Sequence, residues 1–446
     1  MLFSKYFNSK KLGGVALPSL LISFLALVEL TSLKGYSASV ETIMFNTSWW
    51  MEDYFSVSLI SLTMFVILIS LIASDDDFML DSSWSKFASM VVLIGLSCMC
   101  FFCCADFFLF FFFFESSLIP TAVLILSWGH QPERLQAGLQ MIIYTVCGSL
   151  PFLVLLCGIW LDCGTDKMMI MCFTNQEMIS ESVVFWFLLM IGMLVKVPVF
   201  LVHGWLPKAH VEAPLSGSMM LAGILLKLGI YGICRVLWCV GIPPMEWVYV
   251  LMAVSLWGGV VCSFLCLCFY DIKSVIAYSS IAHMSLSLGG IMSLSQLGWM
   301  GGICMAIAHG ICSPCLFSLA NYTYMGSGSR SILLCKGLLK SLPMLSAMWF
   351  VFCAINMGCP PSINFFSECL LFCSILGYST TLISSLFLLC FLAAGYSLFL
   401  YSTVNHGYQS FSLRGFTGLS LRFMVCMVVS MIILFGLFIF LDVVFL

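Results

Sequence analysis

Residues 195–235 read VKVPVFLVHGWLPKAHVEAPLSGSMMLAGILLKLGIYGICR, and the rest of the chain is organised around them. Two apolar segments flank a short polar passage, and each carries one lysine, Lys196 and Lys227. Their sequence neighbours are Val, Leu, Ile, Met and Gly, so neither lysine has an acid beside it within its own segment. A cation at bilayer depth costs roughly 2.5–3.5 kcal/mol even on lenient insertion scales. Two such cations so close in sequence point to proton or ion handling.

That the segments lie in a bilayer follows from composition. Of 446 residues, 62% are hydrophobic and 8% are charged, against about 25% charged in a soluble domain. This excludes an ordinary water-soluble protein. Long unbroken runs such as LFLLCFLAAGYSLFLY (386–401) exclude the alternating strands of a porin-like barrel. The fold class is therefore an all-α polytopic membrane protein. At about 20 residues per span, thirteen spans are expected, near 14–33, 56–74, 87–105, 106–128, 137–160, 183–206, 214–238, 247–269, 274–293, 298–323, 340–377, 379–402 and 421–444. The apolar run after Lys5, Lys10 and Lys11 is long enough to span, so it reads as a helix rather than a cleaved presequence.

The net charge of −3, without any extended basic run, gives no indication of nucleic-acid binding. The 23 cysteines show no paired CxxC or Cys/His ligand spacing, and the densest group (Cys98, Cys100, Cys103, Cys104) reads as small apolar helix residues. No P-loop, dinucleotide fingerprint or haem motif is present. Abundant Phe, Cys and Gly beside sparse Lys, Gln and Asn fit mutational pressure on a small organellar genome.

Ionisable groups inside the spans carry the functional signal. Glu115 stands in FFFFFESSLIP, Lys196 two residues before Pro198, and Lys227 in mid-span. His283 lies in AYSSIAHMSLS, His309 in AIAHGICSPCLF, and Glu368 follows Pro360–Pro361 by about two turns. A histidine alone on an apolar face is usually a satisfied core residue, yet it also titrates near neutrality. Burial disfavours the charged form of Glu115 and of Lys196, and pairing the two relieves both. Lys208, His210 and Glu212 read as loop residues at the surface, Asp271 and Lys273 as a pair at the start of a span, and Arg330 as a loop anchor.

Proline interrupts two spans, near 198–207 and at 360–361, and each of these spans holds one ionisable group. Paired broken helices in corresponding halves point to inverted-repeat transporters with ion sites at mid-membrane. Interrupted backbone is tolerated there only where protein or a cavity surrounds it. The expected organisation is N-terminal helices over 1–86, five-helix repeats over 87–238 and 247–402, and a C-terminal helix over 403–446.

The stretch HGWLPKAHVEAPLSGSMMLAGILLKLGIYG resembles the chain 4 family of mitochondrial NADH:ubiquinone oxidoreductase (respiratory complex I). FFESSLIPT, WGHQPERLQAG, KSVIAYSSIAHMSL, MAIAHGICS and CPPSINFFSE follow the family's order over about residues 85–405. The resemblance implies an antiporter-like, proton-translocating subunit of the mitochondrial inner membrane, in contact with other membrane subunits and phospholipid. NADH, FMN, iron–sulfur clusters and ubiquinone would belong to the parent complex, with no cofactor in this chain. Carried over by motif, Glu115 and Lys196 would be the acid–base pair, Lys227 the central relay, His283 and His309 polar relays, and Glu368 the terminal carboxylate. Related subunits occur in multi-subunit cation/proton antiporters, which supply the alternative reading.

Three features depart from the family pattern. The first 55 residues offer one convincing span rather than two. Gly204 replaces a larger apolar residue and is expected to loosen the broken helix. Pro314, five residues after His309, removes a backbone donor and is expected to kink that helix.

Overall fold

The computed structural model describes residues 50–74, 84–129, 131–174, 182–408 and 420–439. The expected span at 14–33 and the acidic loop at 75–77 lie outside the described residues. In chain order the helices are α1 (Tyr54–Ala73), α2 (Trp84–Cys103), α3 (Phe107–Ser116), α4 (Leu118–Trp128), α5 (Arg134–Cys163), α6 (Met168–Thr174) and α7 (Val183–Lys196). Then come α8 (Trp205–Glu212), α9 (Leu215–Met220), a π-helical turn (Leu221–Leu225), α10 (Leu226–Val240), α11 (Met245–Cys268), α12 (Ile272–Met292) and α13 (Gln296–Ser327). The series closes with α14 (Leu338–Ser341), α15 (Pro343–Asn356), α16 (Ile363–Tyr378), α17 (Ile383–Asn405) and α18 (Leu421–Ile439).

Ten helical stretches are long and apolar enough to cross a membrane, counting α3 with α4 and α9 through α10 as one each. Three shorter apolar helices, α7, α15 and α16, accompany them. The expected span 340–377 is thus two short helices rather than one. Prolines 360 and 361 offer no N–H to a helix ladder, and Gly358 turns the chain with a φ of +76°. Ser362 then starts α16 by accepting from the Phe365 N–H at 3.4 Å.

Helix α7 stops at Lys196 for the same reason. Pro198 cannot continue the ladder, and the carbonyls it frees find other donors. Val199 N–H reaches Leu194 O at 3.2 Å, and the Trp205 indole donates to Val195 O at 3.1 Å. The chain resumes as α8 after eight non-helical residues that include Leu201 at a φ of 88°. Gly204 sits exposed at the start of α8, and a Cβ there would meet only Tyr144 Oη, at 4.0 Å. A larger side chain would fit, so the small residue does not itself break the helix. Pro314 is accommodated inside a continuous α13.

Burial separates centre from periphery. The apolar window of the stretch through α9 and α10 is entirely buried, and those of α12 and α13 are 94% buried, against 33% in α5. A helix apolar all round is read as buried, and α12 and α13 instead place Ser, His and Asn among their apolar residues. The close approach of α7 to α10 depends on Gly229, where a Cβ would fall 2.5 Å from Val197 Cγ2 and 2.9 Å from Met193 O. Small residues at such crossings let transmembrane backbones meet.

Candidate functional site

Lys196 ends α7 and Lys227 opens α10, and both are buried, Lys227 at 0% exposure. The Lys196 ammonium donates to Phe114 O at 2.6 Å and to Ser117 Oγ at 3.4 Å. It also lies 3.5 Å from the centre of the Phe114 ring. The local reason is the junction between α3 and α4 at Ser117, which leaves polar groups facing the end of α7.

Glu115, the expected partner, forms no ion pair with Lys196 within 4.0 Å among the described residues. The expectation of a closed pair is corrected here. Phe114 and Glu115 are successive on a helix, so they point in different directions, and the lysine sits on the Phe114 side. Glu115 lines a cleft of about 360 Å³ with Phe112, Ile119 and Ile142. Its Oε1 is buried without a hydrogen-bond partner.

Lys227 lies directly after the π-helical turn, a feature frequent at functional sites. Its Nζ donates to Ala222 O at 2.6 Å and stands 3.1 Å from His309 Nδ1. A charged lysine donates to a neutral imidazole there, while a neutral lysine accepts from a protonated Nδ1. The contact therefore persists whichever partner holds the proton. Ser313 Oγ donates to His309 O at 2.8 Å one turn before Pro314, holding that carbonyl where the helix loses a donor.

His283 continues the line from α12. Its ring centre lies 5.6 Å from that of His309. Its Nδ1 is 3.7 Å from Glu368 Oε1, and its Nε2 is 3.2 Å from Tyr396 Oη. Glu368 occupies the first turns of α16, opposite the left-handed turn at Gly358. A Cβ at Gly358 would fall within 2.4 Å of Glu368 Oε2. Lys227, His309, His283 and Glu368 thus form a buried file drawn from four helices. Among the described residues no hydrogen bond joins this file to Lys196.

Several residues stand elsewhere than expected. His210 and Glu212 are buried on α8 rather than exposed in a loop, while Lys208 is exposed. His210 stacks on Phe317 with ring centres 4.6 Å apart, and neither ring nitrogen has a hydrogen-bond partner. Arg330 ties its segment to α8, reaching Val211 O at 3.0 Å and Glu212 at 3.7 Å. Lys273 is buried and donates to Ala213 O at 3.4 Å.

Tyr396 escaped the sequence reading, although a hydroxyl in the run AAGYSLF was the available signal. A second buried polar group was missed altogether. Arg235 pairs with Asp53 at 2.5 Å and donates to Tyr231 Oη at 2.8 Å. Tyr231 in turn donates to Phe102 O at 2.7 Å.

The family described as NADH:quinone oxidoreductase/Mrp antiporter, transmembrane, matches residues 104–393, which include all six ionisable groups singled out above. The chain is 41% identical to NADH-ubiquinone oxidoreductase chain 4 of Ceratitis capitata over 378 residues, 84% of each chain. It is 42% identical to chain 4 of Lumbricus terrestris over 364 residues, covering 81% of this chain and 80% of the relative.

In fold it is similar to a chain of respiratory complex I from Thermus thermophilus. The TM-score is 0.83 at 21% identity, with 96% of this chain and 92% of that chain covered. A chain of the Mrp complex from Dietzia sp. superposes with a TM-score of 0.78 at 17% identity, covering 96% and 88%. With the family domain spanning more than half of its length and relatives of this identity along most of the rest, the chain belongs to the NADH-ubiquinone oxidoreductase chain 4 family.

Proposed function

We propose that this chain is a proton-translocating, antiporter-like membrane subunit of NADH:ubiquinone oxidoreductase in the mitochondrial inner membrane. The observation that carries the reading is the buried file Lys227–His309–His283–Glu368, with contacts of 3.1, 5.6 and 3.7 Å along it. Family membership supplies the parent reaction, and other membrane subunits would be its partners. NADH, FMN, iron–sulfur clusters and ubiquinone are assigned to those other subunits.

In this reading Glu115 and Lys196 form the switch at one end. Burial disfavours charge on each, and mutual approach favours it. Drawing Glu115 toward Lys196 therefore holds a proton on the lysine, and separating them releases it. The separation seen here represents the open arrangement. The proton passes to Lys227, along His309 and His283, and reaches Glu368 before leaving, with water closing the gap between the histidine rings. Neighbouring groups titrate as a set, so the file exchanges protons collectively. Free energy arrives from quinone chemistry in neighbouring subunits as a population shift at the pair.

The two broken helices support a division into inverted repeats over 87–238 and 247–402, flanked by segments 1–86 and 403–446. One break follows Lys196 and the other precedes Glu368, as expected for interrupted helices that line an ion path. The test is the proton-to-electron ratio of the intact complex in vesicles. Lys196→Ala and Glu368→Gln are each expected to lower it without loss of assembly, and an unchanged ratio in either variant removes that residue from the path.

The likeness to the Mrp chain supports a second reading, a component of a multi-subunit cation/proton antiporter. Native-gel separation with an NADH dehydrogenase stain distinguishes the two. The chain is expected in the stained high-mass band, and its presence only in a smaller unstained band would favour the antiporter.

A further inference from the structure

One end of the bundle gathers four separate segments away from the proton file. Met51 N–H donates to Cys103 O at 2.8 Å, Phe107 N–H to Asp166 O at 3.0 Å, and Met168 N–H to Ala105 O at 3.0 Å. These bonds seat the short helix α6 beside the end of α10. Arg235 is buried there, bound to Asp53 and Tyr231, with its Nη2 left without a hydrogen-bond partner. Within this cluster the buried Cys239 thiol hydrogen-bonds the half-buried Cys172 sulfur.

We propose that Cys172 and Cys239 form a redox-active dithiol, oxidised by a peroxide to an intrachain disulfide that ties α6 to the end of α10. Three features single out this pair. The two sulfurs already touch, so closing the bond requires side-chain rotation rather than movement of whole helices. Cys172 is partly accessible while Cys239 is enclosed, which assigns attack to the first and resolution to the second. The Cys172 thiol is lowered from its ordinary pKa, chiefly by the Cys239 hydrogen bond and further by the nearby Arg235 guanidinium, against an opposing effect of burial. A thiolate beside a cation at a partly exposed site is the usual setting of a reactive cysteine.

The chemistry balances within the pair and the oxidant. The Cys172 thiolate attacks one peroxide oxygen and breaks the O–O bond, giving a sulfenic acid and hydroxide. The Cys239 sulfur then attacks the sulfenic sulfur, expelling a second hydroxide as its own proton is lost, so that two thiols and one hydrogen peroxide yield one disulfide and two waters. The proposal does not depend on the proton path. It adds a covalent link to the helix that carries Lys227 about three turns upstream.

The test is differential alkylation of the intact complex in its native membrane. Membranes are exposed to hydrogen peroxide, free thiols are blocked with one maleimide, and reducible thiols are labelled with a second after reduction. Peptide mass spectrometry reads each cysteine. Cys172 and Cys239 are expected to pass together from the first label to the second. The unreduced digest is expected to contain their linked peptide, lighter than the separate peptides by two hydrogen atoms. The proposal is overturned if Cys172 keeps the first label while other cysteines oxidise. It is equally overturned if Cys172 proceeds to sulfinic acid with Cys239 still free, or links to another chain instead.

Discussion

Lys227 Nζ stands 3.1 Å from His309 Nδ1 at the point where α10 leaves its π-helical turn, and the same ammonium donates to Ala222 O at 2.6 Å. The irregular turn and the lysine belong to one local device. The ammonium finds a carbonyl acceptor five residues upstream in its own chain, and its other contact is a base. An apolar residue at 227 would leave the fold in place and empty this position.

Lys227→Met is therefore expected to abolish proton transfer through the subunit while the complex assembles. Replacing a buried charge with an apolar side chain of similar length is often neutral for stability. Ala222 O and His309 lose a partner, at about 1–3 kcal/mol for each group left unsatisfied. A native gel reads assembly, and acidification of the vesicle lumen during NADH oxidation reads transfer. Normal acidification would exclude Lys227 from the path.

Tyr396 is expected to position His283 rather than to carry the proton itself. Tyr396→Phe keeps the ring and removes the 3.2 Å contact to Nε2. A net hydrogen bond of about 0.5–1.5 kcal/mol corresponds to a roughly two- to tenfold slower coupled turnover. Uncoupled NADH oxidation with an artificial acceptor should be unchanged. Equal slowing of both rates would indicate a general structural defect.

Gly358 sets the place of Glu368. Its φ of +76° and the collision that a Cβ would make with Glu368 Oε2 act together. Gly358→Ala is expected to cost about 1–2 kcal/mol for the left-handed backbone and to shift the carboxylate away from His283. Its proton-to-electron ratio should fall in the direction of Glu368→Gln. A variant with a normal ratio would place the glycine's role in folding alone.

Packing of α7 on α10 is expected to be the most sensitive helix contact. Gly229→Ala pushes a methyl into Val197 and Met193 O, an overpacking of about 1–3 kcal/mol. Gly158→Ala is the control, because nothing lies within 4 Å of its Cβ position. Subunit abundance in the assembled complex should fall for the first and hold for the second.

The Arg235–Asp53 pair is expected to behave as a buried charge with one protective partner. Asp53 is 29% exposed, so Asp53→Asn should cost about 3 kcal/mol, the lower end for breaking a buried pair. The double variant Asp53→Asn/Arg235→Met should recover much of that loss in thermal stability of the complex. No recovery would mean that the guanidinium is held mainly by Tyr231.

Hydropathy alone determined that this chain crosses a membrane in many helices, because a bilayer admits long apolar helices and penalises each charge placed among them. The same penalty made Glu115, Lys196, Lys227 and Glu368 legible as exceptional, and the prolines at 198, 360 and 361 legible as breaks. Partnership was another matter. Glu115 and Lys196 suit each other in sequence, yet the phase of α3 turns Phe114 O and not the carboxylate toward the ammonium. His210 and Glu212 sit in a polar stretch that reads as loop, and only the packing of α8 buries them. Tyr396 and Asp53 gained their meaning from residues 113 and 182 positions away, His283 and Arg235. One-dimensional pattern records the cost of placing a residue in the membrane, whereas helix rotation and crossing decide which group stands close enough to offset it.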